Sequence, residues 1–528
     1  LNKPLLRMVG VCFLSASLFS VPLLAQEQHP AEPAPHADEH SVKPTQKPEE
    51  AAPVERSSIT EHQMTVDGKV LHYTATAGTL LIRNEDDKPY GSIFYVAYTL
   101  DGSNPNTRPV TFLYNGGPGS STLWLHMGSV GPVRVETDSP DATGSGPYQV
   151  VPNQYTLLDQ SDLVFIDAPL TGYSRAAGKG TVKDFAGVDQ DLKAFTKFIE
   201  RYLTVNQRWN SPKFLFGESY GTTRSAGLSA TLQADGVSLN GITLLSSVLN
   251  YNAAEGAGLE LSYVNYLPSY AAIAFYHKKL PQMPTDMAAF VQQAREFARG
   301  PYAEALAQGD KLPQAQMEAM AQKLNLFTGL PVKYLEQAKL RVNPSQFRAE
   351  LLRGDGETSG DIIGRYDARF EGTQPDDIGE FPSYDPSDTG ITGAFTAAIH
   401  DYLSRELKYT SDDEYRPDTE LIRDWDWHHR SAAGRGYGRQ DLPDVTPDLA
   451  DTMRKNPKLM VFSANGWFDL ATPFFETEYE LDHMMLTPQL QKNVQIHYYS
   501  AGHMVYLNVK ALAQMRDDLR SFYTEAEK

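Results

Sequence analysis

The chain has 528 residues, 41% hydrophobic, 11% aromatic and 21% charged, with a formal net charge of −19. That much apolar surface excludes a disordered chain, and the length fits two or three domains or one large core carrying an insertion. The acidic balance, with no dominant basic patch, argues against nucleic acid or an anionic membrane as partner. The single cysteine, Cys12, excludes a disulfide scaffold, a zinc ribbon, an iron–sulfur site and a thiol nucleophile in the body of the chain. No cofactor and no metal are expected.

Lys3 and Arg7 precede an apolar run over 8–24, which ends in Ala25 before Gln26-Glu27. A basic, then an apolar, then a small-residue region describes a secretory signal peptide over 1–25. A membrane anchor is the alternative, but Gly10, the serines and Pro22 interrupt the ~20 apolar residues a span needs. The protein is expected to be exported, to the periplasm or beyond, with no membrane insertion after signal cleavage. Pro30, Pro33, Pro35, Pro44, Pro48 and Pro53, set among Glu, Ala and His, make 26–57 a disordered tether. His29, His36 and His40 have no fixed backbone there to set metal-ligand geometry.

From about Ile59 the chain reads as strands, over 71–76, 79–83 and 92–100, with turns at Asp67-Gly68 and Asp101-Gly102. Residues 109–114 and 163–167 are short continuous apolar runs, as expected of strands buried on both faces. Helical spacing follows over 184–203, then a buried strand over 213–216, a helix over 222–234 and a strand over 241–248. This alternation implies a mostly parallel sheet with helices on both faces. The next buried strand is 459–463, so about 200 residues form an insert, far beyond an ordinary connection of about 2–6. Met287, Phe290, Val291, Ala294 and Phe297 share one helical face, as do Met317, Met320, Ala321 and Leu324. Asn343-Pro344 opens a further helix that Gly354 closes. Residues 354–390 read as a long loop. Trp425, Trp427, His428 and His429 form an aromatic cluster that either packs the insert or lines a pocket.

The chemistry concentrates in Gly217-Glu218-Ser219-Tyr220-Gly221. A Gly-x-Ser-x-Gly between a buried strand and a helix is a nucleophile elbow: the turn holds the serine at the strand end, where bulky flanking side chains would collide. A serine needs a base and an acid to orient it, here in the order serine, acid, histidine. Asp469 ends the strand-like run from Leu459. After it only His483, His497 and His503 remain. His483 lies in a helical stretch and His497 within an alternating strand over 494–499. His503 follows that strand in Ala501-Gly502-His503, a loop where a general base belongs. Tyr220, after the nucleophile, supplies one backbone N–H of an oxyanion hole, and the glycine-rich Asn115-Gly116-Gly117-Pro118-Gly119-Ser120-Ser121 is the natural donor of the second.

These segments, with Gly131-Pro132, Phe165-Ile166-Asp167, Gly172-Tyr173-Ser174, Asn465-Gly466 and Met504, resemble the serine carboxypeptidases, in the family's order across most of 110–510. The resemblance is to an exported, bacterial-type member. It implies an α/β-hydrolase fold: a mostly parallel sheet with helices on both faces and a large, mainly helical insert, divided as 58–250, insert 251–456 and 457–528. It implies removal of a peptide's last residue through an acyl-enzyme. Ser219 would be nucleophile, His503 base and Asp469 its orienter. The N–H groups of Gly117 and Tyr220 would form the oxyanion hole, and Asn115, Gly116 and Glu218 would bind the substrate carboxylate.

Ser129 stands where family members carry a second glutamate that pairs with the elbow glutamate, Tyr114 where tryptophan is frequent, and Tyr506 where proline is frequent. Without the pair, Glu218 is expected to be ionised at neutral pH and activity to persist toward neutrality. An esterase or acyltransferase on the same triad, or a binding protein without catalysis, are the alternatives to a peptidase acting on a peptide substrate. The oligomeric state is not legible.

Overall fold

A computed structural model describes residues 53–253, 260–354, 361–376, 378–420, 424–433 and 438–528. The expected signal peptide, Cys12 and nearly all of the expected tether lie outside the described residues. Nine strands of the main sheet are numbered here in chain order: β1 Ser57–Val66, β2 Lys69–Arg83, β3 Pro89–Leu100, β4 Val110–Tyr114, β5 Asp162–Ile166, β6 Lys213–Glu218, β7 Gly241–Leu245, β8 Met460–Gly466 and β9 Val494–Tyr499. They lie in the order β1-β2-β3-β5-β4-β6-β7-β8-β9, and the two-residue strand Arg175–Ala176 pairs with β3. The first three form an antiparallel meander. From β5 onward every neighbouring pair is parallel.

The apolar strand runs arise because both faces of the sheet are covered. Alternate residues of a strand point to opposite faces. Val110, Phe112 and Tyr114 join one apolar cluster with Val164, Ile166 and Leu215. Leu113 joins the other with Leu163, Phe165, Phe214 and Phe216. Helices α2 (Val188–Val205) and α3 (Tyr220–Ala234), which follow the short α1 (Leu123–Gly128), cover the first face. The C-terminal helix Val509–Ala526 packs Leu512, Met515, Leu519 and Phe522 on the second.

Several boundaries differ from expectation for identifiable reasons. The strands expected over 71–76 and 79–83 are one, β2. Its Gly78 does not break the strand: a Cβ there would lie 2.6 Å from the Arg56 carbonyl, so glycine permits close approach of the chain entering β1. Strand β7 stops at Leu245, because Ser246 turns to a positive φ of 52°. The helix at Asn343 has the expected cap, with Asn343 and Gln346 bonding reciprocally. It runs over Pro344–Glu350, and Gly354 follows with φ +74°.

The residues between β7 and β8 carry their own apolar cluster around Tyr270, Phe290, Val291, Ala294, Leu324 and Phe347. Phe468, Leu470, Phe474 and Phe475, which follow β8, belong to the same cluster. Ile391, Phe395, Ile399 and Tyr402 instead pack into the sheet's own core. No described helix is long and apolar enough to cross a membrane.

At the N-terminal edge of the sheet, Asp162 is buried between two arginines, bonding Arg108 Nε at 2.6 Å and Arg208 Nη1 at 2.5 Å. Removing one partner of a buried ionic group strands the other charge. Asp162→Ala is therefore expected to cost roughly 3–5 kcal/mol, read as a lower urea midpoint. A midpoint equal to that of the wild type would show that water already solvates these groups.

Candidate active site

Strands β4, β6, β7, β8 and β9 run parallel, so their C-terminal ends share one edge. That is the edge where ligands bind in such sheets. It receives the Asn115–Gly117 loop after β4, Ser219 after β6, Asp469 just past β8 and His503 just past β9. A cavity of about 610 Å³ opens there, lined by Asn115, Gly116, Gly117, Glu218, Ser219 and His503.

Ser219 sits between β6 and α3 with φ 59° and ψ −131°, a backbone conformation L-residues rarely adopt. Its N–H donates to the Leu245 carbonyl at 3.0 Å. The elbow closes only because its neighbours are glycines. A Cβ on Gly217 would lie 2.0 Å from the Gly221 carbonyl oxygen, and one on Gly116 would lie 2.5 Å from the Tyr220 nitrogen. The Asn115–Gly117 loop thus rests on the N-terminus of α3.

His503 and Asp469 are both buried, with His503 Nδ1 2.8 Å from Asp469 Oδ2. Asp469 also accepts the N–H groups of Ala471 (2.7 Å) and Thr472 (3.0 Å) and the Thr472 hydroxyl (2.8 Å). Burial, the largest influence, pulls the His503 imidazole toward the neutral form. The charge and hydrogen bond of Asp469, together with Glu218, outweigh it and leave its pKa raised. The other two histidines lie elsewhere. His497 stacks on Phe462 and pairs with Asp518, and His483 stacks on Tyr479 at a helix end.

Glu218 departs from the sequence-based expectation. It is buried, and burial above all pushes its carboxyl up to about 7, against the lowering influence of His503, Tyr506 and Asn115. The group expected to be ionised at neutral pH is therefore protonated through the acid range and titrates near neutrality. No second carboxyl is needed to hold the proton. The Tyr506 hydroxyl takes the facing position and donates to Glu218 Oε2 at 2.9 Å. Gly128 makes room for that ring: a Cβ there would lie 2.7 Å from it. Ser129 turns away and donates to the Leu125 carbonyl at 2.5 Å.

The insert supplies the opposite wall, with Tyr251, Arg365, Tyr366, Asp385, Asp388, Asp418 and Trp427. Of the aromatic cluster, Trp427 reaches the cavity and Trp425 packs edge-on against Tyr220 at 5.7 Å. His428 pairs with Asp426, and His429 bridges Asp189 and Asp448. Residues 365–369, read from sequence as loop, brace both partners of the acid–base pair. The Tyr366 carbonyl accepts His503 N–H at 2.6 Å, and the Arg365 carbonyl accepts Leu470 N–H at 3.0 Å. Asp367, itself held by Arg369, accepts Gly502 N–H at 3.2 Å. A Gly, Asp and Pro-rich composition signals irregular backbone but not its destination.

A family model described as serine carboxypeptidase matches residues 69–516. The pheromone-processing carboxypeptidase KEX1 of Saccharomyces cerevisiae is 32% identical over 156 residues, which is 27% of this chain and 20% of that protein. Serine carboxypeptidase-like 36 of Arabidopsis thaliana is 26% identical over 137 residues, 25% of this chain and 26% of that protein. The chain thus spans about a fifth to a quarter of the length of these relatives. The crystal structure of a prohormone-processing carboxypeptidase, KEX1ΔP of Saccharomyces cerevisiae, superposes with a TM-score of 0.54 at 16% identity. The match covers 86% of this chain and 91% of that one. The fold is accordingly that of the α/β-hydrolases.

The folded state holds the Glu218 proton more tightly than the unfolded chain, where glutamate titrates near its ordinary 4.5. Stability from this group is then full below about pH 4.5 and is lost as pH rises to about 7. The loss is of order 3 kcal/mol. Glu218→Gln should flatten that part of the curve of thermal midpoint against pH. Parallel wild-type and variant curves between pH 4.5 and 7 would contradict a neutral buried carboxyl.

Proposed function

The chain belongs to the serine carboxypeptidase family, and from that premise we propose that it removes the C-terminal residue of a peptide through an acyl-enzyme. The observation that carries this reading is one cavity holding Ser219 at its elbow, the Asp469-paired His503, and the buried, proton-holding Glu218.

In this reading the Ser219 hydroxyl attacks the scissile carbonyl while His503 takes its proton. Asp469 occupies Nδ1 and so leaves Nε2 as the basic nitrogen. Charge developing on the carbonyl oxygen is met by the N–H groups of Gly117 and Tyr220. His503 returns the proton to the leaving amine, and water then releases the acyl group by the reverse sequence. Asn115, Gly116 and Glu218 hold the carboxylate of the departing residue. A protonated Glu218 can donate a hydrogen bond to that carboxylate, whereas an ionised one repels it. Recognition therefore weakens as pH rises through the range where Glu218 ionises, while His503 must be neutral to act as base. The two requirements oppose each other and give a bell-shaped profile.

We also propose that the chain is exported, with residues 1–25 as a signal peptide, 26–57 as a tether, and a hydrolase core divided by an insert over 251–456. The exported chain should begin at Gln26 on N-terminal sequencing. A chain keeping residues 1–25 in the membrane fraction would replace the signal by an anchor.

The catalytic test uses a blocked dipeptide as free acid, as its C-terminal amide and as a simple ester. The free acid should be cleaved at least 10-fold faster than the amide, a charge-assisted hydrogen bond contributing roughly 1.5–3 kcal/mol. KM for the acid alone should rise as pH passes about 7. Ser219→Ala should lose all cleavage. Equal rates on acid and amide, with a faster ester, would instead make the protein an esterase. Unchanged turnover in Ser219→Ala would remove the triad altogether.

A further inference from the structure

Arg224 lies one helical turn past Tyr220 on α3 and is fully buried, side chain included. A guanidinium in that position cannot draw on water. It faces the Phe195 ring at 4.2 Å and the Tyr114 and Tyr220 rings at 5.2 Å each. Two of its N–H groups go to Asp191 on α2, Nε to Oδ2 at 2.7 Å and Nη2 to Oδ1 at 3.2 Å. The third bond leaves the ion pair: Nη1 donates to the Asn115 backbone carbonyl at 2.7 Å. The Tyr220 hydroxyl donates to Asp191 Oδ2 at 3.3 Å.

We propose that Arg224 is a positioning residue for the reaction: with Asp191 it fixes the Asn115–Gly117 loop against the start of α3, and so sets the spacing of the two oxyanion N–H groups. This rests on the assignment of those N–H groups made above. Both carriers are tied to one ion pair. Tyr220 is held through its hydroxyl, and the loop through the carbonyl that precedes Gly116. The loop already approaches α3 as closely as backbone permits, since a Cβ on Gly221 would lie 2.9 Å from the Tyr114 carbonyl oxygen. What the glycines allow, the guanidinium fastens.

A purely structural role would not call for this residue. A buried ion pair replaced by apolar groups of similar size is often neutral or stabilising. A geometric role does call for it, because only a planar fork reaches a carboxylate and a separate carbonyl together. Lysine can keep the charge beside Asp191 but not both contacts.

Two variants separate these roles, Arg224→Lys and the apolar double variant Arg224→Met/Asp191→Leu. Each is compared with the full-length wild type by three readouts: thermal midpoint, rate of Ser219 labelling by an organophosphonate, and kcat and KM on the free-acid dipeptide. Displacing a reacting group by about 1 Å costs on the order of 100-fold. Labelling rate and kcat should therefore fall roughly 10- to 100-fold, with KM changed less and the midpoint within a few degrees. Variants that label and turn over like the wild type would overturn the inference. So would a loss that disappears when activity is expressed per folded molecule. Labelling needs no substrate carboxylate, so a protein without free-acid preference still tests Arg224. A wild type that takes no label would sink the reading of Ser219 and this inference with it.

Discussion

The geometry of the site depends on one close approach. The β4 loop lies on the N-terminus of α3 with no space for a side chain, 2.5 Å from a would-be Gly116 Cβ to the Tyr220 nitrogen. Parallel strands bring the two segments to the same edge but leave their separation free. Packing backbone on backbone removes that freedom, because neither surface has a rotamer to adjust. The strained Ser219 backbone is held by this contact from one side and by its bond to the Leu245 carbonyl from the other. Strain of this kind persists only where the surroundings over-determine it.

The second organising feature is dryness. Glu218 and His503 are both buried, and each influences the other's titration. Burial favours the neutral form of both, and the proposed reaction calls for that form of each: a carboxyl with a proton to donate and an imidazole with a lone pair to accept one. Asp469 counters that tendency at His503 through its charge and its hydrogen bond. At Glu218 burial outweighs the lowering influence of His503, Tyr506 and Asn115, so its proton stays through the acid range. A tyrosine can stand opposite it because a neutral carboxyl needs a hydrogen-bond partner, not a second shared proton.

The sequence was most legible where function is local. The elbow motif, the glycine-rich loop and the two-faced strands follow from residues adjacent in the chain, and in the structure the motif lies between a strand and a helix and the loop follows a strand. His503 was reachable by order and elimination among three histidines. The protonation of Glu218 was not reachable, because it is set by burial and by a hydroxyl 288 residues away. The continuous β2 was missed for a similar reason. The strands expected over 71–76 and 79–83 join only because Arg56 and the start of β1 come against Gly78. Arg224 carries no local signal either, because its burial among three aromatic rings and Asp191 is set by α2 and β4 as well as its own helix.

The insert is not an appendage to this core. Asp469 lies between Phe468 and Leu470, and both side chains pack in the insert's own apolar cluster. Backbone bonds from residues 365–368 reach Phe468, Leu470 and His503. The same segment presents Arg365 and Tyr366 to the cavity. The piece of chain that lines the cavity is thus also the piece that braces Asp469 and His503. Residues 365–369 therefore tie the cavity wall contributed by Arg365 and Tyr366 to the backbone that carries Asp469 and His503.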